Sequence, residues 1–223
     1  MKSLKLFYPF LCSVLCYQVL GKETIFIDLS KNTDRQVIVD KEDGQYLGHP
    51  TTTLIKNSET ILCVYPKGHG RGEIVYKRSL DGGQSWGERL KTPMTWSSSK
   101  EVPTLFQAKD KKGKERIIMF SGLYPIRMAT TENNGKTWSE LHPIGNFGGI
   151  VAMGTMIQDI KNPGHYRALF HDDGRFISDK PNKQNPKVFT LYSSLSTDGG
   201  MSWQKPISIF SSSSVHLLSL IHI

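Results

Sequence analysis

Side chains able to transfer protons or to bind an anion recur beside short glycine-rich breaks in this chain. The candidate acids and bases are His49, His69, His171, Glu101, Asp172 and Asp173. Imidazole exchanges protons near neutral pH, and carboxyl groups act as general acids or bases when their surroundings adjust their pKa. The candidate cations are Lys67, Arg71, Arg127 and Arg175. Because a guanidinium group binds a carboxylate bidentately, the chemistry indicated is acid–base catalysis on an anionic substrate.

Two roles are predicted for these side chains. The predicted catalytic residues are His69, Asp172 and Asp173. The predicted substrate-binding residues are His49, Lys67, Arg71, Glu101, Arg127, His171 and Arg175. Simpler interpretations stay open: Arg127 as a surface strand residue, 172–174 as a tight turn, and His49 as a packing residue at a rim. Loop 67–72 is open to interpretation as flexible filler, and it does not match a phosphate-binding loop because no helix follows it.

A short phrase occurs three times and indicates the elements that hold these side chains. It reads Ser/Thr-x-Asp-x-Gly-x-Ser/Thr-Trp at 79–86, 131–138 and 196–203, with Asn replacing Asp in the middle copy. Asp and Asn side chains accept hydrogen bonds from nearby amides, and Gly supplies a positive φ. Each copy, called here a repeated turn, is predicted to join two strands as scaffold. Its structural residues are Asp81, Gly83, Trp86, Asn133, Gly135, Trp138, Asp198, Gly200 and Trp203.

Short β-branched and aromatic runs precede each repeated turn, and a polar strand follows it. Each unit therefore predicts four antiparallel strands, A to D, with the repeated turn between C and D. Copies lie about 50 to 65 residues apart, which is typical of propeller blades, so the predicted fold is an all-β propeller with about three blades present. This topology places the starts of the A strands and the B–C loops on one face. The B–C loops are 66–72, 122–125 and 171–187, and the repeated turns lie on the opposite face.

Composition and charge limit the predicted cellular location of the protein and the kinds of partner it binds. Residues 1–21, with a basic start and an apolar run, are predicted to be a secretory signal, which indicates a secreted, periplasmic or cell-surface protein; an uncleaved anchor is the alternative. The mature chain has no apolar run long enough to span a membrane, and its single cysteine, Cys63, is expected to be buried without a disulfide. The formal charge is +8, but no dense basic block suggests nucleic acid. No metal-ligand spacing appears, and no cofactor is predicted.

The repeated turns, the blades and the polar face resemble the sialidase (neuraminidase) superfamily with its Asp-box repeats. The resemblance covers residues 45 to 210 and is most family-like over Ile74–Trp86. It implies a six-bladed propeller that removes terminal sialic acids with a Tyr nucleophile assisted by Glu, an Asp acid/base and three Arg residues. The family's first Arg falls at Gly48, and loop 66–72 lacks the acid/base Asp. The remaining groups would come from later blades.

From this resemblance, residues 22–210 are predicted to form a partial propeller and 211–223 a truncated or aberrant tail. The predicted function is exo-sialidase-like hydrolysis of sialylated or other anionic glycans. A non-catalytic Asp-box propeller that binds glycans or proteins is the alternative, because the repeated turns occur in both classes. The 223-residue chain alone is expected to be inactive.

Overall fold

The computed structural model describes residues 25–98, 100–177 and 188–212, and its chain divides into two compact units, Met1–Gln36 and Val37–Ile223. The described part of the first unit contains one short 3-10 helix, Thr33–Arg35. The second unit contains all the described strands. The predicted signal, 1–21, and the tail from residue 213 onward lie outside the described residues.

Three antiparallel sheets account for all the strands in the described ranges. The first holds β1 (Thr51–Leu54), β2 (Ile61–Pro66) and β3 (Ile74–Ser79). The second holds β4 (Pro103–Lys109), β5 (Glu115–Ser121), β6 (Arg127–Thr131) and β7 (His142–Pro143). The third holds β8 (Ile150–Gln158), β9 (Tyr166–Asp172), β10 (Phe189–Ser196) and β11 (Ile207–Ser212). Strands pair in chain order within each sheet, so the prediction of an all-β partial propeller is confirmed.

The first sheet has three strands where four were predicted. Residues 87–91 follow the first repeated turn, where the fourth strand is expected, and run beside β3. Among the described residues they donate two backbone hydrogen bonds to it, from Gly87 to Arg78 (3.2 Å) and from Leu90 to Tyr76 (2.8 Å). These donors are three residues apart, whereas the donors of an antiparallel ladder alternate every two residues. The segment is therefore an extended edge and not a ladder. In the third sheet, Ser211 and Ser212 belong to β11, so the sheet extends past residue 210.

The core lies between neighbouring sheets, and β5 is buried on both faces. Its residues Ile117 and Met119 pack toward the first sheet, and Ile118 and Phe120 pack toward the third. Successive strand side chains point to opposite faces, so a central blade between two neighbours needs apolar residues at every position. This explains the unbroken apolar run in β5. A 3-10 helix, Met94–Ser98, adds the fully buried Trp96 to the cluster between the first two sheets.

Each repeated turn forms the same hydrogen bonds with its own backbone. The amide of the glycine at the fifth position donates to the hydroxyl at the first position, at 2.8, 3.1 and 2.9 Å in the three copies. The Asp or Asn oxygen accepts the amide of the second hydroxyl residue at 2.9, 2.9 and 3.0 Å. Hydrogen bonds from the Ser85 side chain and amide lower the pKa of Asp81 to about 2. The turn thus satisfies its donors locally.

The second and third repeated turns also pack against the preceding sheet. The Tyr76 hydroxyl of β3 donates to the Gly135 carbonyl at 2.8 Å, and the Trp138 ring lies 5.4 Å from the Trp96 ring. Likewise, Trp203 lies 5.6 Å from Phe120 of β5 in an edge-to-face arrangement. These contacts join one blade to the next, because aromatic pairs at such distances add to the packing energy.

Residues 37–47 cover the face of the first sheet that is turned away from the second. Val39 and Leu47 pack with Cys63, Tyr65 and Val75. Burial raises the pKa of the Cys63 thiol to about 12, in line with the expectation of a buried cysteine. Apolar contacts therefore hold residues 37–47 against the first sheet.

Asp40 is the charged anchor of this segment. Its carboxylate accepts hydrogen bonds from the Tyr65 hydroxyl and from Arg89 Nε (2.7 Å), and Lys77 Nζ donates to the Val39 carbonyl at 2.6 Å. Burial acts to raise the pKa of Asp40, but the hydrogen bonds from Arg89 and Tyr65 outweigh it and hold the pKa below its ordinary value. Ion pairing and burial together fix the segment.

Asp40→Asn is expected to lower the free energy of unfolding by about 1–3 kcal/mol at pH 7, because Lys77 loses a charged partner and Arg89 loses one of two, Glu42 being the other. A carboxyl with a lowered folded pKa contributes stability above its ordinary pKa and loses it as the pH falls through the folded value. The difference between variant and wild type should therefore shrink as the pH falls below about 4. Urea unfolding of the variant and the wild type at pH 7 and below about pH 4 measures this difference in free energy.

The matched control is Asp43→Asn, since Asp43 pairs with Lys41 at 3.5 Å and its side chain is 94% exposed. A change within about 0.5 kcal/mol is expected for the control. Equal losses for both variants would contradict an anchoring role for Asp40.

Candidate functional site

The starts of the first strands and the described parts of the B–C loops lie on one face of the sheets, called here the loop face. Leu47 bridges to Lys67 of the first loop. Leu123 of the second loop and Gly149 before β8 exchange backbone hydrogen bonds at 2.9 and 3.0 Å. The Gly148 amide then donates to the Phe176 carbonyl of the third loop at 3.0 Å. The three blades thus present their loops together.

A pair of histidines lies at the first blade's end of the loop face. His49 precedes β1 and His69 lies in the loop between β2 and β3; their Nε2 and Nδ1 atoms are 3.1 Å apart. The ring centroids are 4.5 Å apart and both side chains are exposed. At this distance one ring nitrogen donates to the other, so a proton can pass between the two imidazoles.

The loop that carries His69 is a compact turn. Gly68, Gly70 and Gly72 all have positive φ (130°, 75° and 120°), and the Lys67 amide donates to the Glu73 carbonyl at 2.8 Å. Three left-handed glycines and a closing hydrogen bond fix the path of the loop. The loop therefore adopts a turn in the structure.

Glu101 lies between the first and second loops. Its Oε1 accepts the Val102 amide at 2.9 Å, and a Cβ atom added at Gly70 would lie 2.8 Å from the same oxygen. On its other side, a Cβ added at Gly122 would lie 3.2 Å from the Glu101 Cβ. A carboxylate therefore sits next to the loop that presents His69.

Two of the predicted cations are already paired with carboxylates. Lys67 Nζ lies 3.4 Å from Glu42 and 3.6 Å from Glu73. Arg175 Nε donates to both oxygens of Asp173 at 2.7 and 2.8 Å. Within the described ranges, the ion pairs involve neither Arg71 nor Arg127.

Asp172 holds the third loop from inside. It is fully buried, and its Oδ2 accepts the amides of Gly174 (2.9 Å) and Phe176 (3.1 Å). Burial raises the pKa of the Asp172 carboxyl, and the amide hydrogen bonds only partly oppose it. These contacts match the tight-turn interpretation of 172–174.

Asp172→Asn is expected to leave the free energy of unfolding at pH 7 unchanged or higher, since the amide oxygen still accepts the two amides and no charge is buried. A carboxyl with a raised folded pKa binds more protons folded than unfolded, so wild-type stability falls as the pH rises from its ordinary pKa through the raised value. The variant lacks that slope. Urea unfolding across this pH range tests it, and a loss of about 2 kcal/mol or more would show that the charge is required.

Arg127 lies apart from the other candidates, and His171 is buried in the sheet beside Asp172 and Asp173. Arg127 donates to the Ser98 carbonyl, and burial lowers the pKa of its guanidinium. His171 is 1% exposed and lies beside Phe189, on the opposite side of β9 from Asp172 because neighbouring strand residues alternate. Burial lowers the pKa of His171. The structure brings together His49, His69 and Glu101, and separately Asp172, Asp173 and Arg175.

Sequence reasoning missed two exposed tyrosines on the loop face. Tyr46 is 55% exposed, and its ring centroid lies 6.5 Å from that of His49 and 6.0 Å from that of His69. Tyr124, in the second loop, is 43% exposed and donates to Asn146. The available signal for Tyr46 was its position two residues before a glycine and three before His49.

A partly open pocket lies on the opposite face, away from these candidates. It has a volume of about 250 Å³ and is lined in part by Gln107, Lys109, Arg116, Glu132, Gln158 and Tyr166. Arg116 in its wall is paired with carboxylates, at 3.1 Å from Asp110 and 3.6 Å from Glu132. The residues suited to proton transfer are on the loop face.

In the described part of the chain, no cluster of His, Cys, Asp and Glu has the arrangement of a metal site. A search of the same residues found no helix long and apolar enough to cross a membrane.

No protein-family model matches the chain, and no curated protein sequence is significantly similar to it. Solved structures do match. An α-L-arabinofuranosidase from Fusarium graminearum, bound to an iminosugar inhibitor, superimposes with a TM-score of 0.53 at 14% identity, over 76% of this chain and 50% of that chain. The α-L-arabinanase of Penicillium chrysogenum bound to arabinobiose gives 0.51 at 12% identity, over 75% and 50%. The chain thus spans about half the length of these structures, and the likeness shows the β-propeller fold.

Proposed function

We propose that this chain belongs to a glycan-acting β-propeller whose site is the loop face, with His49 and His69 as its proton-transfer pair. The observation that carries the proposal is the 3.1 Å contact between two exposed imidazoles from different segments of that face. The two solved structures above, which share the fold, are enzymes named for arabinose-containing glycans. A glycoside hydrolase is therefore the reaction class that the site supports best.

Hydrolysis of a glycosidic bond needs one proton delivered to the leaving oxygen and one removed from the attacking water. The hydrogen-bonded imidazole pair can deliver the proton to the leaving oxygen, because the proton lost by one ring nitrogen is replaced through its neighbour. Removal of the proton from water falls to a carboxylate, since the two catalytic groups of a glycosidase stand at least about 5 Å apart. Glu101, beside the His69 loop, supplies a carboxylate next to the pair. Asp172 is engaged with backbone amides and Asp173 with Arg175, so these two residues shape the third loop.

The finer proposal is release of a terminal anionic sugar such as sialic acid. The Asp-box resemblance and the formal charge of +8 support it. Lys67 and Arg175 are paired with carboxylates, so Arg71, exposed in the first loop, is the cation available to bind the sugar's carboxylate. Gly48 stands where the resemblance implies the first arginine, so this grip differs from that of a sialidase.

A glycan-binding propeller without catalysis is the second candidate. It is favoured by the engagement of both carboxyl groups of the third loop, which leaves Glu101 as the acidic group beside the histidine pair.

The test is to express the protein encoded by the whole gene and to assay a fluorogenic α-sialoside, α-L-arabinofuranoside and β-glucuronide between pH 4 and 8. Release from the sialoside alone supports the finer proposal, and release from another substrate supports only the glycosidase. Glycan binding without release identifies the non-catalytic alternative. If the protein neither releases a sugar nor binds a glycan, a glycan-related function is overturned.

A further inference from the structure

Tyr46 places an exposed aromatic ring beside the histidine pair. The ring is edge-on to His49, with an interplanar angle of 67°, and tilted by 37° to His69. More than half of the side chain is open to solvent, although a tyrosine ring is large and mostly apolar. Its position at the site rather than in a core needs an explanation.

Two features bear on the position of the ring. A Cβ atom added at Gly48 would lie 2.5 Å from Cζ and 2.6 Å from the hydroxyl oxygen of Tyr46, so the ring occupies space that only glycine leaves open. The neighbouring Leu47 bridges to Lys67 and Gly68, which ties the backbone at Tyr46 to the loop that carries His69. The backbone that carries Tyr46 is therefore joined to the loop that carries His69.

We propose that Tyr46 is a sugar-stacking residue: its ring receives the apolar C–H face of a sugar ring bound beside His49 and His69. The inference rests on the proposed glycan-acting function of the loop face. A rigid aromatic with a polar tip gives contact area at low entropic cost, and it leaves the sugar hydroxyls free to hydrogen-bond.

The stacking position also bears on the substrate class. Any side chain at position 48 would collide with the Tyr46 ring, so the structure excludes an arginine there while Tyr46 keeps its place. The sugar next to the histidine pair is therefore recognised through its ring face. Where the sugar carries a carboxylate, Arg71 binds it.

The experiment measures binding of 3′-sialyllactose and of arabinobiose to the full chain by saturation-transfer NMR titration. Tyr46→Ala is expected to weaken binding of the sugar that the wild type binds by about three- to tenfold, which is the range of an aromatic contact. Tyr46→Phe keeps the ring and should stay within about twofold. Tyr46→Leu, an apolar side chain without a ring face, should behave like the alanine variant and covers the case in which alanine unfolds the segment.

Each outcome decides the inference. Weakening in the alanine and leucine variants but not in the phenylalanine variant supports it. Equal binding by wild type and Tyr46→Leu overturns the stacking role and leaves the glycan-acting function standing. Weakening by Tyr46→Phe as large as by Tyr46→Leu assigns the effect to the hydroxyl and overturns stacking. Binding of neither sugar by the wild type overturns the stacking role, and the fluorogenic panel then decides the proposed function separately.

Discussion

Gly135→Ala is expected to lower the free energy of unfolding by about 2–5 kcal/mol. Gly135 has a φ of 76°, where an L-residue costs about 1–2 kcal/mol. The added Cβ would also lie 2.7 Å from Leu62 Cδ1 and closer still to the Tyr76 hydroxyl. Both neighbours are buried in the first sheet, so relief of the clash must move packed groups, which typically costs about 1–3 kcal/mol more.

Gly82→Ala is the matched control, because Gly82 belongs to the first repeated turn, has a φ of 69° and would give a Cβ with nothing within 4 Å. Its expected cost is the backbone strain alone, about 1–2 kcal/mol. Urea unfolding followed by tryptophan fluorescence gives both values. Equal losses in the two variants would contradict the claim that the second repeated turn is wedged against the preceding blade.

His69→Gln is expected to lower turnover of the hydrolysed glycan by about 10²–10⁴-fold, the usual contribution of a positioned acid–base group. Glutamine retains hydrogen-bonding capacity toward His49 but cannot exchange a proton near neutral pH. The measurement is kcat/KM for the protein encoded by the whole gene, on the substrate that the fluorogenic panel identifies. A fall in kcat with little change in KM is the expected form of the loss.

His165→Gln provides the control, since His165 lies in the turn between β8 and β9, away from the loop face. Its turnover should equal that of the wild type. If His69→Gln retains turnover within about threefold, the histidine pair is not the proton-transfer centre.

The strands and turns were predictable because their signals are local. The apolar run of β5 and the side chains of each repeated turn act within a few residues of one another. The missing ladder at 87–91 was not predictable in this way. Arg89 in that segment binds Asp40, some fifty residues earlier in the chain, and no periodicity in the sequence reports such a pairing.

The candidate site was predictable in its location and less so in its members. Topology alone brings the B–C loops to one face, and His49 and His69 meet there. Lys67 and Arg127 are equally suited by sequence to bind an anion. In the structure, Lys67 pairs with Glu42 and Glu73, and Arg127 donates to the Ser98 carbonyl. These partners are adjacent only in the folded chain.

The repeated turns do not predict Tyr46 as a site residue, because the position of its ring requires that residue 48 has no side chain. A glycine in sequence usually suggests a turn, and here it makes room for a ring.

The most direct test of the loop-face site is an NMR titration of the isotope-labelled chain with 3′-sialyllactose or arabinobiose. The ring signals of His49 and His69 report on the loop face, and the side-chain amides of Gln107, Asn134 and Gln158 report on the pocket of the opposite face. The predicted result is that a saturable shift of both histidine signals accompanies sugar binding while the three amides stay fixed. Shifts confined to the amides would contradict the account and would move the glycan site to the face of the repeated turns.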